Sequence, residues 1–288
     1  MCAVTVVIPS LGNADVFQTI NILNSGTLIP DNIFLCVPVD TIIRFEIPDN
    51  LKIIYCNKRS QVAQRAEGFR LAKTEYVLQL DDDTHLEKTC LEKLVGVLAN
   101  TRQPCAVVPV ILNSETKESI YKVEASITPF KYIRYFIANG RQLYVPGTIT
   151  KVGSCFGPSF TENSDVIVEI EWAAGCCILH RRSNLLYTDY YPFSGKAYSE
   201  DLIASYFYKL KSVVFYAYKN ATCYTAPYDP KSSSIFDVYK EIRAKYYYLT
   251  LLGRNCTRFY FYAAFRYGNE ILINLPKRLF NMSRKKNA

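Results

Sequence analysis

The sequence predicts an α/β protein, an open, mostly parallel sheet with flanking helices, followed by a C-terminal helical extension. Three observations predict it. Four short apolar runs rich in β-branched residues read as strands covered on both faces. The segments between them carry apolar residues at helical spacing. Beyond residue 230 the composition changes, with 12 Lys/Arg against 3 Asp/Glu from Lys231 onward and 22 against 23 before it. Residues 1–230 are therefore expected to form the sheet domain and 231–288 a basic, aromatic helical extension.

The first strand is "VTVVIPS" (Val4 to Ser10), and the following "NADVFQTINILNSG" places Val16, Ile20 and Leu23 on one helical stripe with Asn13 or Asp15 available to cap it. "IFLCVPV" (Ile33 to Val39) and "LKIIYC" (Leu51 to Cys56) read as the second and third strands. "SQVAQRAEGFRLAK" then sets Val62, Ala66, Phe69 and Ala72 on one stripe, and "YVLQL" (Tyr76 to Leu80) is the fourth strand. A third helical pattern, Leu86, Leu91, Leu94 and Leu98, follows. "CAVVPVIL" and "VIVEIEWAAGCCILH" read as later strands, and the region 115–165, with its Pro and Gly residues, reads as loop-rich. In open α/β sheets ligands bind beyond the carboxyl ends of the strands, so Pro9, Asp40 and Asp81 to Asp83 are expected on one rim.

A chain of 288 residues that is 49% hydrophobic can bury a substantial core, which argues against disorder. None of its ten cysteines falls in a CxxC pair, and they read as reduced, buried, small apolar residues rather than a disulfide or zinc framework. The first ten residues contain no Lys or Arg, and Pro9 interrupts the apolar run, so a first strand is expected there rather than a signal peptide. No window reaches the ~18 to 20 apolar residues of a membrane-spanning helix. The expected location is cytoplasmic, with any membrane contact peripheral.

Three adjacent carboxylates, Asp81, Asp82 and Asp83, repel one another unless a positive charge sits among them. Carboxylates at i and i+2 after a strand can face one side and offer oxygens to Mg²⁺ or Mn²⁺, which take their remaining ligands from waters and phosphates. The competing reading is a helix N-terminus, where the same carboxylates need no metal. His85, beside the cluster, reads as a surface helix residue, since a hard cation prefers oxygen.

These segments, "VTVVIPS", "KRSQVAQRAEGFRLAKTEYVLQLDDDT", "EWAAGCCILHRR" and "YSEDLIASYFYK", resemble in order and spacing the family 2 glycosyltransferases of the GT-A fold, over roughly Val4 to Ala226. The resemblance implies a nucleotide-sugar site at Pro9, Asp40, Gln61, Arg65, Asp81 and Asp83, with Asp83 holding the Mg²⁺ or Mn²⁺ on the diphosphate. It implies an acceptor side at Trp172, Gly175 and Glu200, and Asp201 as the catalytic base. A base that activates the acceptor hydroxyl, with no second nucleophile in evidence, implies inversion at the anomeric carbon. UDP-hexose is the family's commonest donor. The sequence departs from the family pattern where many relatives place a metal-binding His, since "NATCYTAPYD" offers Tyr224 or Thr225 there. Apolar "TIIRF" after Asp40, in place of a small polar turn, weakens Asp40 as a base-recognition residue.

The C-terminal segment is expected to hold at least two helices, broken near Gly253 and Pro276, with Tyr and Phe interleaved with Arg254, Arg258 and Arg266. That mixture suits either a cap packed on the sheet or a peripheral layer on anionic lipid, the latter fitting a lipid-linked or lipopolysaccharide-type glycan acceptor. No nucleic-acid module accompanies it. Two other classes stand beside the glycosyltransferase: a nucleotidyltransferase making sugar nucleotides, which normally has a glycine-rich loop where "VVIPSLGNAD" has one Gly, and a non-catalytic sugar or lipid-surface binding module.

Overall fold

A computed structural model describes residues 3–13, 15–121, 128–161, 163–226 and 234–268. The four expected strands form as β1 (Val4–Pro9), β2 (Asn32–Pro38), β3 (Leu51–Cys56) and β4 (Tyr76–Leu80), all parallel, in spatial order β3-β2-β1-β4. Strands β1, β2 and β4 are almost wholly buried, β1 at every position, which is why these runs are continuous rather than alternating, whereas β3 at the sheet edge leaves Lys52 and Tyr55 exposed.

Helix α1 (Asp15–Asn24) buries Val16, Ile20 and Leu23, and α2 (Gln61–Leu71) buries Val62, Ala66 and Phe69. The third helix, α3 (Cys90–Asn100), buries Leu91, Leu94 and Leu98. Leu86 and His85 do not belong to it: they form the short strand β5 (His85–Leu86), paired antiparallel with β9 (Val214–Thr225). Three residues, Glu87 to Thr89, separate β5 from α3 and break the helical pattern, and His85 is a strand residue, half-buried, rather than a surface helix residue.

Beyond β4 the sheet changes direction. It continues through β8 (Cys177–Arg181), antiparallel to both β4 and β6 (Cys105–Asn113), then β9, parallel to β6, and β5. The run "VIVEIEWAAGCCILH" is two strands, β7 (Ile167–Ile170) on β9 and β8 beside β4, separated by the segment 171–176. One sheet face packs against α1 and α3 through Val6, Ile8, Ile20 and Leu94. The other packs against α2 through Val7, Val77 and Phe69, and against α5 (Glu200–Leu210) through Ala106, Ile178 and Tyr208. Helix α2 lies unusually close: a Cβ on Gly68 would sit 2.4 Å from Val7 Cγ1 and 2.8 Å from Cys36 Sγ.

The chain divides into two compact units, one of Met1–Val123, Pro146–Thr148 and Gly157–Tyr228, the other of Glu124–Val145, Ile149–Phe156 and Asp229–Ala288. The second unit groups α4 (Pro129–Asn139), in the region read as loop, with the C-terminal segment. In this second unit α6 (Ile235–Leu251) starts at a capping box between Ser234 and Asp237, and residues 257–268 are again helical after the break at Gly253. Lys245 of α6 pairs with Glu241 at 2.6 Å and donates to the Tyr267 hydroxyl at 3.1 Å, while Arg258 Nε donates to the Ile137 carbonyl at the end of α4 at 2.6 Å. The break expected near Pro276 lies outside the described residues.

Nine cysteines of the described residues are free thiols, six of them buried. No helix among the described residues is long and apolar enough to cross a membrane.

Candidate active site

The point where the sheet turns from parallel to antiparallel brings three segments together. Leu80 of β4 pairs with Cys177 of β8, and the Asp81 amide donates to the Cys176 carbonyl at 2.9 Å, so the acidic turn lies beside Gly175. The first turn of α2 contributes Gln61 and Arg65, four residues apart and so on one helix face. The first turn of α5 contributes Glu200 and Asp201, near the positive end of the helix dipole. Ser199, the residue before them, adopts φ 51° and ψ 26°, the left-handed region that a non-glycine residue occupies only where its surroundings compel it.

Arg65 joins these segments. Its guanidinium is 2% exposed, donates to Asp81 Oδ1 at 2.6 Å and forms a second, very short ion pair with Glu200 Oε1. Burial disfavours its charge, but Glu200 and Asp81 outweigh that and hold it protonated. The positive charge among the carboxylates is therefore Arg65 as far as Asp81 is concerned. Gln61 Nε2 donates to the same Asp81 oxygen at 2.9 Å. Burial nevertheless pushes Asp81 up to about 6.

Glu200 has both oxygens committed, the second accepting from the Tyr190 hydroxyl at 2.9 Å. Asp201 Oδ1 accepts from the Gly175 amide at 2.8 Å. Burial, with Glu200 adjacent, holds the Asp201 carboxyl well above the usual carboxylate range. Gly175 is required by contact: a Cβ there would lie 2.5 Å from Glu200 Oε1 and 2.7 Å from Asp201 Oδ1. Gln79 Nε2 donates to the Gly175 carbonyl at 2.6 Å and fixes this segment from β4.

The three aspartates separate by role. Asp82 accepts from Ser10 Oγ at 2.6 Å and its carbonyl accepts from Thr19 Oγ1 at 2.8 Å, which ties the turn to the end of β1 and to α1. Asp83 is exposed. Among the described residues no group of three or more His, Cys, Asp or Glu side chains converges on one point. Both bonds to Asp81 fall on Oδ1, so Asp81 Oδ2 and the exposed Asp83 carboxylate are the oxygens at hand. Such a set fits a hard divalent cation that brings its other ligands with a diphosphate.

The remaining expected residues lie apart from this cluster. Pro9 is buried at the end of β1, where Gln64 Nε2 donates to the neighbouring Ser10 carbonyl at 2.8 Å and to the Cys36 carbonyl at 2.7 Å. Asp40 sits in the turn after β2, largely exposed and paired with Arg59, whose guanidinium holds the carboxyl below its usual range. Trp172 is 6% exposed and packs edge-on against Tyr121 at 5.8 Å, so little of its ring faces outward. His180 is fully buried on β8 and stacked on Tyr208, and burial, aided by Arg65 and Lys211, pushes it down to about 3, so it packs as a neutral ring. Tyr190, Gln79 and Gln64 are not among the residues expected from the sequence, although a Gln in the middle of "YVLQL" and another in α2 are signals that could have found the last two.

Residues 39–158 match the profile "Glycosyl transferase family 2". Over these residues the chain is similar to the family 2 glycosyltransferases. The match spans Asp40, Gln61, Arg65, Asp81 and Asp83, whereas Trp172, Gly175, Glu200 and Asp201 lie C-terminal to it. Among solved structures the chain resembles GalNAc-T7, in a crystal structure with UDP, GalNAc and Mn²⁺, at 15% identity and a TM-score of 0.57, covering 86% of this chain and 50% of that one. It also resembles S. aureus TarS 1-349 at 13% identity and a TM-score of 0.51, covering 86% of this chain and 65% of that one. The chain thus spans about half the length of the first and less than two thirds of the second. At these identities the likeness is one of fold, an α/β GT-A sheet. No curated protein matches the chain.

Proposed function

We propose that the protein is a metal-dependent, inverting glycosyltransferase that moves a sugar from a nucleotide-diphospho-sugar to a hydroxyl of a glycan or lipid-linked acceptor. The observation that carries this reading is Arg65 bridging Asp81 at the end of β4 to Glu200 at the start of α5, with Asp201 alongside on the Gly175 amide. The bridge holds a donor-side carboxylate and a base-side carboxylate in one cluster. The UDP, GalNAc and Mn²⁺ bound by GalNAc-T7 favour a UDP-sugar donor.

On this reading Gln61, Asp81 and Asp83 line the diphosphate end of the donor, and Pro9 and Asp40 the nucleoside end. Asp83, with Asp81 Oδ2, would hold Mg²⁺ or Mn²⁺, which when bound supplies positive charge to the leaving diphosphate. Asp201 takes the proton from the acceptor hydroxyl at a free carboxylate oxygen. Its burial makes it a stronger base than a surface aspartate, which suits proton abstraction from a hydroxyl. With both oxygens occupied, Glu200 orients Arg65 and Tyr190 rather than touching the acceptor, and buried Trp172 shapes the acceptor side from behind. Attack from the Asp201 side on a carbon whose leaving group lies on the other side inverts the configuration.

The extension is read as peripheral to an anionic membrane. Phe236, Tyr260 and Phe261 are 76%, 56% and 69% exposed in a segment with a large excess of basic residues, which suits insertion into a headgroup layer.

The deciding experiment replaces Asp201 with Asn and measures donor binding and turnover separately. The expected result is unchanged stabilisation by UDP-hexose with Mn²⁺ in a thermal-shift assay, with transfer reduced ~10²- to 10⁴-fold. Intact transfer would remove Asp201 from the role of base.

A further inference from the structure

Directly after the acidic turn in sequence, the first unit holds a cavity of about 510 Å³ between the end of α1, β5, the end of β9 and the turn after β6. Its polar lining is Lys88, Lys117, His85, Tyr224, Ser25 and Ser114. No carboxylate lines it, and among the described residues neither lysine forms an ion pair with one. Ile22 and Leu86 supply the apolar part of the wall.

The arrangement is built rather than incidental. Pairing of β5 with β9 sets His85 directly opposite Tyr224. Lys117 Nζ lies 4.4 Å from the centre of the Tyr224 ring. The turn that presents Lys117 is closed by Asn113, whose Oδ1 accepts from the amides of Glu115 and Thr116 at 2.8 and 3.1 Å and whose carbonyl accepts from the Lys117 amide at 2.9 Å. Lys117 itself adopts φ 58°, a strained position for a side chain of that size. His85 Nε2 is buried with no hydrogen-bond partner.

We propose that this cavity is a second ligand site, distinct from the donor site, that binds a sugar phosphate. Two ammonium groups with no counter-charge, flanked by the hydroxyls of Ser25, Ser114 and Tyr224, supply donors to the phosphate oxygens. Ile22, Leu86 and the Tyr224 ring supply the apolar surface on which the carbon face of a pyranose rests, and the volume lies in the range of small-ligand pockets. The phosphate can belong to a free sugar phosphate or to a phosphorylated unit of a glycan acceptor, since both present the same group.

The test is calorimetric titration of the full chain with glucose 1-phosphate and with inorganic phosphate, in EDTA so that no divalent cation loads the donor site. One saturable event is expected with glucose 1-phosphate, tighter than with inorganic phosphate. Replacing both lysines (Lys88→Gln with Lys117→Gln) should weaken it at least about tenfold, since both charge-assisted contacts are lost. Asp83→Asn should leave it unchanged. Both lysines are exposed, so the double variant should keep its melting temperature. As a measurement independent of the variants, glucose 1-phosphate should slow amide exchange in residues 85–88 and 113–118 of the wild-type chain. Absence of saturable binding, equal affinity for inorganic phosphate, equal binding by the double variant, loss in Asp83→Asn, or unaltered exchange in both segments each overturns the proposal. A phosphorylated oligosaccharide that competes with glucose 1-phosphate identifies an acceptor unit as the source, and one that does not compete identifies the free sugar phosphate.

Discussion

Removing the guanidinium of Arg65 leaves two carboxylates, on Asp81 and on the nearly buried Glu200, without their shared counter-charge. Arg65→Met should therefore destabilise the chain by about 3–5 kcal/mol, measured by urea unfolding. Arg65→Lys restores charge but cannot reach both partners with a planar fork, so it should recover part of the stability and little of the activity. Asp201 makes a prediction of the opposite sign. Its folded-state pKa is raised, so the folded chain binds its proton more tightly than the unfolded chain does, and stability is lost as pH rises above the ordinary carboxylate range. Asp201→Asn removes that cost. The variant should melt above the wild type at pH 8 and level with it at pH 3. Turnover of the wild type should climb with pH along a limb displaced upward from an ordinary carboxylate, and the Asn variant should lack that limb.

At the scale of elements, the site depends on how closely α2 approaches β1 and β2, because the same helix delivers Gln61 and Arg65. Gly68 permits that approach. Gly68→Ala drives a methyl into Val7 and Cys36, and a cost of about 1–3 kcal/mol is expected in urea unfolding, with a larger proportional loss of transfer because the first turn of α2 is displaced with it. The switch from the parallel pair β1–β4 to the antiparallel pair β4–β8 matters equally, since it sets the Gly175 segment beside Asp81. A continuation in parallel would have placed a crossover helix there instead.

The molecule as a whole couples a sheet domain of nearly balanced charge to a strongly basic extension. If that extension meets a membrane through its exposed rings, Phe236→Ser with Phe261→Ser should reduce co-sedimentation with anionic vesicles at least about tenfold, since each Phe contributes ~1.5–3 kcal/mol on burial. Both rings are exposed, so the melting temperature should hardly change. Sedimentation equal to wild type would assign the rings another role.

The sequence by itself determined the parallel half of the sheet, because strands buried on both faces must be apolar throughout and the helices covering them must carry a stripe. It also marked the acidic turn, since charge directly after a buried strand has to be paired or functional. Tertiary structure decided what local patterning does not encode. The partner of Asp81 is 16 residues away and that of Glu200 is 135, so Arg65 could not be distinguished from a solvent-facing helix residue until α2 and α5 were packed on one sheet face. The same holds for α4, whose exposed Phe130, Tyr132, Ile133 and Phe136 blur any helical stripe, and for His85, which the pairing of β5 with β9 takes out of the following helix. Periodicity records burial along one element. A site assembled from the ends of several elements is recorded only in how they pack.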